Sequence, residues 1–138
     1  MASNQENSSE GPILHLQSSD GVIFDVELAI AQRSIMIKTM TESLGEDELK
    51  EVLPLPIIKS DTLKKVIEFA THHKNDPMPE EDVEKVNIRM TEWDQKFLEV
   101  DFKTLFDLID AANYLCMTDL LELATQEISK TFLQAKSR

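Results

Sequence analysis

Two short runs of alternating residues near the N-terminus constrain the fold most. The first is ILHLQ at residues 13–17, and the second is VIFDV at residues 22–26. Alternating side chains point to opposite faces of an extended chain, so each run predicts a β-strand. The intervening SSDG ends in Asp20-Gly21, and this pair supplies the positive φ that a tight turn needs. The sequence therefore predicts a β-hairpin.

Short helices and one further strand are predicted after the hairpin. Ser34 is a candidate N-cap for a helical segment that ends near Leu44-Gly45, with Gly45 as its stop. Residues 46–51 are charged and predict a solvated loop. The apolar run VLPLPII at residues 52–58 holds two prolines two positions apart, which point the same way and indicate an edge strand.

Amphipathic helices dominate the rest of the chain. Ser60 is a candidate cap for a helix whose buried face has the spacing i, i+3, i+4 and i+7: Leu63, Val66, Ile67 and Ala70. Residues 74–91 predict a flexible acidic linker. Asp101 is a candidate cap for a helix over residues 102–114, and Thr118 for a last helix. The predicted core stripe of the first of these two is Leu105, Leu108, Ile109, Ala112 and Leu115, and its second face holds Phe106, Asp110 and Asn113, with Tyr114 beside it.

The order of these elements predicts an α+β domain, because three strands lie near the N-terminus and no βαβ repeat follows. The expected organisation is a disordered arm at residues 1–12, sheet and helices at 13–73, the linker at 74–91, helices of the same domain at 92–132, and a tail at 133–138. At 138 residues the chain is long enough for one core. Trp93 is expected to anchor its segment by burying apolar area.

Charge and cysteine content exclude several classes of function. The net charge of −12 disfavours nucleic acid and anionic membranes and favours a basic protein surface. One cysteine, Cys116, excludes an internal disulfide and indicates a cytoplasmic and nuclear location. Cys116 with His72 and His73 gives no zinc-ligand spacing, and the three glycines form no phosphate loop. No catalytic residue, metal or cofactor is therefore expected, and the chain is predicted not to be an enzyme.

Several motifs resemble the Skp (S-phase kinase-associated) family of adaptors in SCF ubiquitin ligases. They are LQSSDG at residues 16–21, IKTM at 37–40, LPLP at 53–56, THHK at 71–74, WDQKFL at 93–98 and AANYL at 111–115. The elongin C subfamily shares the hairpin and AANYL, whereas WDQKFL is similar to the Skp branch. The resemblance covers residues 13–128.

The resemblance implies a BTB/POZ-like fold and two partners, a cullin and F-box proteins. It places Asn113 and Tyr114 at the cullin, with Ile35, Lys38 and Thr39 near the same surface. It places Phe106, Leu121, Leu105 and Ile128 at the F-box. Asp110 stands where the family pattern suggests an apolar residue.

The resemblance leaves alternatives open. Relatives usually continue with further helices that clasp the F-box, whereas this sequence stops at Arg138. The apolar residues of the last helix wrap more than one face, which predicts a homodimer of the free chain. An elongin-C-like adaptor, a structural subunit outside any ligase, and a divergent adaptor with weakened F-box binding remain as alternative functions.

Overall fold

The computed structural model describes residues 11–76 and 90–136. Its elements in chain order are β1 (Ile13–Gln17), β2 (Ile23–Glu27), α1 (Leu28–Ala31), α2 (Ile35–Thr41), α3 (Glu46–Leu49), β3 (Val52–Pro54), α4 (Ser60–His72), α5 (Glu92–Phe97), α6 (Phe102–Leu115) and α7 (Thr118–Lys136). The α+β class is confirmed. Residues 1–10 of the predicted arm and residues 77–89 of the predicted linker lie outside the described residues.

The predicted hairpin is confirmed, and its turn is fastened to the start of α4. β1 and β2 pair antiparallel with Leu14 opposite Val26, and Gly21 takes the positive φ of 90°. The Asp20 carboxylate accepts hydrogen bonds from the Ser18 hydroxyl at 2.7 Å, and from the Ser60 amide and hydroxyl at 2.8 and 2.7 Å. These side-chain hydrogen bonds, that of Ser18 first, lower the pKa of Asp20 to about 2.

β3 is an edge strand, as its prolines predict. The sheet order is β2-β1-β3, and β3 runs parallel to β1 with Leu53 opposite Leu16. The Leu55 amide donates to the Gln17 carbonyl at 2.8 Å, so alternate residues of this segment bond to β1. Pro54, between Leu53 and Leu55, is exposed and has no amide hydrogen to offer on the outer edge.

Several boundaries differ from the sequence prediction. The strand predicted over residues 52–58 covers only Val52–Pro54, and Thr118, predicted as a cap, is the first residue of α7. α2 ends at Thr41, before Gly45, and α3 forms where a loop was predicted. α3 forms because the Glu48 carboxylate reaches back to accept from the Gly45 amide at 2.8 Å and satisfies an otherwise unpaired donor. Lys59, not Ser60, is the N-cap of α4, since the Ser60 side chain is engaged by Asp20.

The core lies between the sheet and helices α4, α6 and α7. The α6 stripe is buried as predicted at Leu105, Leu108, Ala112 and Leu115, and Ile109 packs against it partly exposed. Asp101 caps α6, as predicted, by accepting from the Thr104 amide at 3.3 Å. The opposite side of α6 faces solvent, and this helix carries four of the nine candidate site residues: Leu105, Phe106, Asn113 and Tyr114.

Candidate protein-interaction surfaces

The start of α2 and the end of α6 are joined by hydrogen bonds. The Ser34 hydroxyl donates to the Leu115 carbonyl at 2.6 Å and accepts from the Ile37 amide at 3.1 Å, which confirms Ser34 as the N-cap of α2. The Ile35 amide donates to the Cys116 carbonyl at 3.4 Å. Cys116 takes the left-handed conformation (φ 56°) that ends α6 and directs its carbonyl to α2.

This junction brings the residues implied for the cullin onto two adjoining helices. We call the surface of Ile35, Lys38, Thr39, Asn113 and Tyr114 the α2–α6 surface. Lys38, Thr39 and Asn113 are exposed, whereas Ile35 and Tyr114 are half-buried. An exposed amide beside a half-buried aromatic with a polar tip is typical of protein interfaces. Their assignment to a cullin stays a prediction.

The other end of α6 meets α7 in an exposed aromatic cluster. We call Phe102, Phe106 and Phe132 the phenylalanine patch. The Phe102 ring centroid lies 6.1 Å from that of Phe106 and 6.3 Å from that of Phe132. Their exposures are 43%, 53% and 60%, so all three apolar rings contact solvent. Contiguous exposed apolar surface of this kind marks interaction sites.

The remaining residues implied for the F-box differ in accessibility. Leu121 and Ile128 are partly buried and pack against the core edge. Leu105 is only 2% exposed, because it lies on the core-facing stripe, about 100° around the helix axis from Phe106. Leu105 is therefore corrected to a core residue that offers no contact surface in this conformation. The sequence prediction did not include Phe102 and Phe132 in the patch. Both belong to apolar faces of α6 and α7, and that pattern is the signal that could have identified them.

Trp93 buries apolar area, as the sequence predicts, and it also contacts the rings of His72 and His73. Its ring stacks on His72 with centroids 3.8 Å apart and planes 4° apart, and on Phe97 at 5.0 Å. It is half-buried. The stack fastens α5 to the end of α4 on the far side of the predicted linker. Trp93 is thus an anchor between segments that are distant in sequence.

His73 lies between two carboxylates beside this stack. Its Nδ1 is 2.6 Å from Asp76 Oδ2 and its Nε2 is 2.7 Å from Asp94 Oδ1. Burial opposes protonation, but hydrogen bonds and charge from Asp76 and Asp94 outweigh it and raise the pKa of His73 above 6.5. Asp94 itself is 1% exposed and also accepts from the Thr91 amide and hydroxyl at 3.0 and 2.9 Å.

A second buried ionic contact joins α7 to the segment between α1 and α2. Arg33 Nη2 lies 3.1 Å from Asp119 Oδ2, and Arg33 Nη1 donates to the Asp76 carbonyl at 2.7 Å. The side chains of Arg33 and Asp119 are 5% and 12% exposed. The sequence carries no signal for this pair, which is separated by 86 positions. The only sequence signal near Asp94 is its spacing from Thr91, which is that of a capping box.

Neither a metal centre nor a membrane-spanning helix is found in the described parts of the chain. No group of three or more His, Cys, Asp or Glu side chains there is arranged to hold a metal ion. Helices α1 to α7 include none that is long and apolar enough to cross a bilayer.

The fold and these surfaces define a BTB/POZ-like interaction domain. Residues 12–75 match the family described as Skp1 family, tetramerisation domain. The chain is 47% identical over 117 residues to the E3 ubiquitin ligase complex SCF subunit sconC of Talaromyces stipitatus, an alignment that covers 83% of this chain and 72% of that protein. It is 44% identical over 124 residues to the protein of the same name from Aspergillus terreus, with 88% and 76% covered. The chain belongs to the Skp1 family.

Proposed function

We propose that this chain is a non-catalytic adaptor subunit of an SCF-type cullin-RING ubiquitin ligase. It bridges the N-terminal domain of a cullin to F-box substrate receptors. Support comes from its similarity to SCF subunits and from the placement of two exposed surfaces on one helix. The single observation that carries the proposal is this shared helix: Phe106 and Asn113 are seven residues apart on α6, about 10 Å along its axis.

The proposed mechanism is positional. The adaptor holds substrate receptor and scaffold in one assembly, which raises the effective concentration of the substrate near the transfer machinery. α6 suits this task because its inner stripe is fixed in the core, and its end is hydrogen-bonded to α2. Ubiquitin transfer takes place elsewhere in the assembly, so no side chain here needs reactivity. We propose a cytoplasmic and nuclear location, which the single free cysteine suits.

Cullin binding tests the proposal directly. The double variant Asn113→Ala, Tyr114→Ala should weaken binding to a purified cullin N-terminal domain by about 2 kcal/mol or more, roughly thirtyfold, as expected for residues at the centre of an interface. Isothermal titration calorimetry with and without an F-box domain measures the effect. Asn113 is exposed, whereas Tyr114 is half-buried against the edge of the core, so circular dichroism must show that the variant is still folded.

A matched control is the double variant Glu122→Ala, Thr125→Ala on the exposed side of α7. It should bind the cullin as tightly as the unmodified chain. Absence of cullin binding by the unmodified chain would contradict the adaptor function and favour a structural subunit outside any ligase. Binding to a receptor helix of the elongin-binding type instead of an F-box would favour an elongin-C-like adaptor.

We also propose that the free chain forms a homodimer through the phenylalanine patch, since three clustered aromatic rings are exposed there. Burying this apolar area contributes roughly 25 cal/mol per Å². Light scattering should show an average mass that rises with protein concentration and falls back when an F-box domain is added. The variant Phe106→Asp should remain a monomer.

The control for self-association is Val22→Asp, because Val22 is also exposed (43%) but lies in the hairpin turn. This variant should associate like the unmodified chain. A monomer at every micromolar concentration tested excludes the homodimer, and leaves the adaptor proposal untouched.

A further inference from the structure

Asp110 lies at the border between the phenylalanine patch and a neighbouring cleft. It follows Phe106 by four residues, so the two side chains share one face of α6. It also lines a cleft of about 90 Å³ between α6 and the start of α4, together with Ile57, Lys59, Thr62, Lys103 and Asp107. Ile57 is 58% exposed on the far wall. A partner seated on Phe106 and Ile57 therefore passes over Asp110.

Some of the charged side chains around this cleft form an ion pair and others do not. Lys103 Nζ donates to Asp107 Oδ2 at 3.0 Å, one turn along the helix, so these two charges compensate each other. Within the described residues the Asp110 carboxylate has no ion pair, and Lys59 has no carboxylate within the 4.0 Å of an ion pair. Asp110 is exposed, so its charge costs little while solvent covers it. A partner that buries it beside phenylalanine rings must supply a cation or leave a carboxylate desolvated.

We propose that Asp110 determines receptor specificity: this chain selects F-box domains that present a Lys or Arg beside an apolar helix ridge. The apolar ridge contacts Phe106 and Ile57, and the cation pairs with the Asp110 carboxylate. Receptors with an apolar or acidic residue at that place are disfavoured, because they leave the carboxylate unpaired or repelled. The inference rests on the proposed F-box binding and adds to it the chemical class of the preferred receptor.

The test uses the full chain and an F-box domain that binds it. Asp110→Asn keeps the size of the side chain and removes the charge, and it should weaken binding about two- to fivefold, the range of a partly exposed ion pair. Lys59→Gln should strengthen binding, because it removes a positive charge that repels the incoming cation. Both changes in binding affinity should become smaller at high salt. A loss of structure would weaken binding in both variants. Weaker binding by Asp110→Asn together with tighter binding by Lys59→Gln therefore excludes it as the cause.

The cation is located by a double-mutant cycle. Each Lys and Arg of the F-box domain is replaced singly by Gln, and binding is measured to the unmodified chain and to Asp110→Asn. One replacement should weaken binding to the former and leave binding to the latter unchanged. The matched control is Glu68→Gln on the exposed side of α4, outside both the patch and the cleft, which should not change affinity.

The failures of the two proposals are distinct. Equal or tighter binding by Asp110→Asn, or a cycle in which no cation couples to Asp110, overturns the specificity inference while F-box binding stands. An unmodified chain that binds no F-box domain overturns both proposals.

Discussion

Replacing Arg33 with alanine should lower the free energy of unfolding by about 3–5 kcal/mol, the usual result of removing one partner of a buried ion pair. The substitution leaves the Asp119 carboxylate, 12% exposed, without its cation, and it leaves the Asp76 carbonyl without its donor. Three parts of the fold lose a common contact: the segment before α2, the turn after α4 and the start of α7. Urea unfolding followed by circular dichroism measures the change.

Two further variants separate charge from packing at this site. The double variant Arg33→Met, Asp119→Leu removes both charges while it retains apolar volume, so it should be less destabilised than Arg33→Ala. The control Lys64→Ala removes an exposed cation of α4 and should change the unfolding free energy by less than about 0.5 kcal/mol. If Arg33→Ala unfolds at the same urea concentration as Lys64→Ala, the buried pair does not stabilise the fold.

Asp94→Ala should destabilise the chain by about 2–4 kcal/mol, because the residue is buried and satisfies several donors at once. The Thr91 amide and hydroxyl and His73 Nε2 lose their acceptor. α5 then loses its N-terminal capping box and its hydrogen bond to His73 at the end of α4, and it keeps the stack of Trp93 on His72. The matched control is Glu92→Ala, an exposed acid of the same helix turn, whose effect should be small. Equal stability of the two variants would contradict this account.

The pH dependence of stability gives an independent check on the same site. The pKa of His73 in the folded chain is raised above its unfolded value of 6.5, so His73 binds its proton more tightly when folded. Its stabilisation is fully present below pH 6.5 and is lost as the pH rises through the folded pKa. The variant His73→Gln should not show this loss of stability with rising pH, whereas His72→Gln should still show it. An unchanged decline in His73→Gln would exclude His73 as its source.

Much of the fold follows from local sequence signals. The alternating runs and Asp20-Gly21 are enough for the hairpin, since strand period and turn geometry are properties of neighbouring residues. Ser34 and Asp101 as helix caps, and the buried stripe of α6, follow in the same way. The two α6 surfaces were predicted from the resemblance, and the exposure of Phe106 and Asn113 agrees with the helix period.

Contacts between residues that are distant along the chain could not be predicted from the sequence. Arg33 and Asp119, or His73 and Asp94, meet because of tertiary packing, and nothing in the neighbourhood of either partner specifies the other. Ser60 was misassigned as a cap for the same reason, because Asp20, 40 positions earlier, engages its hydroxyl. Leu105 was assigned both to the core stripe and to the F-box surface, and a helix of fixed period allows only one of these.

Pro54 has a consequence for how this chain assembles at high concentration. Open sheet edges can recruit further strands without limit, which is the route to fibrils. On the outer side of β3 this proline withholds the amide that a further strand would need. Growth by strand addition is therefore blocked on that side of the sheet. The proposed homodimer would instead use the phenylalanine patch, and an isologous contact of that kind closes at two copies, so it would hold the chain in a small reversible assembly.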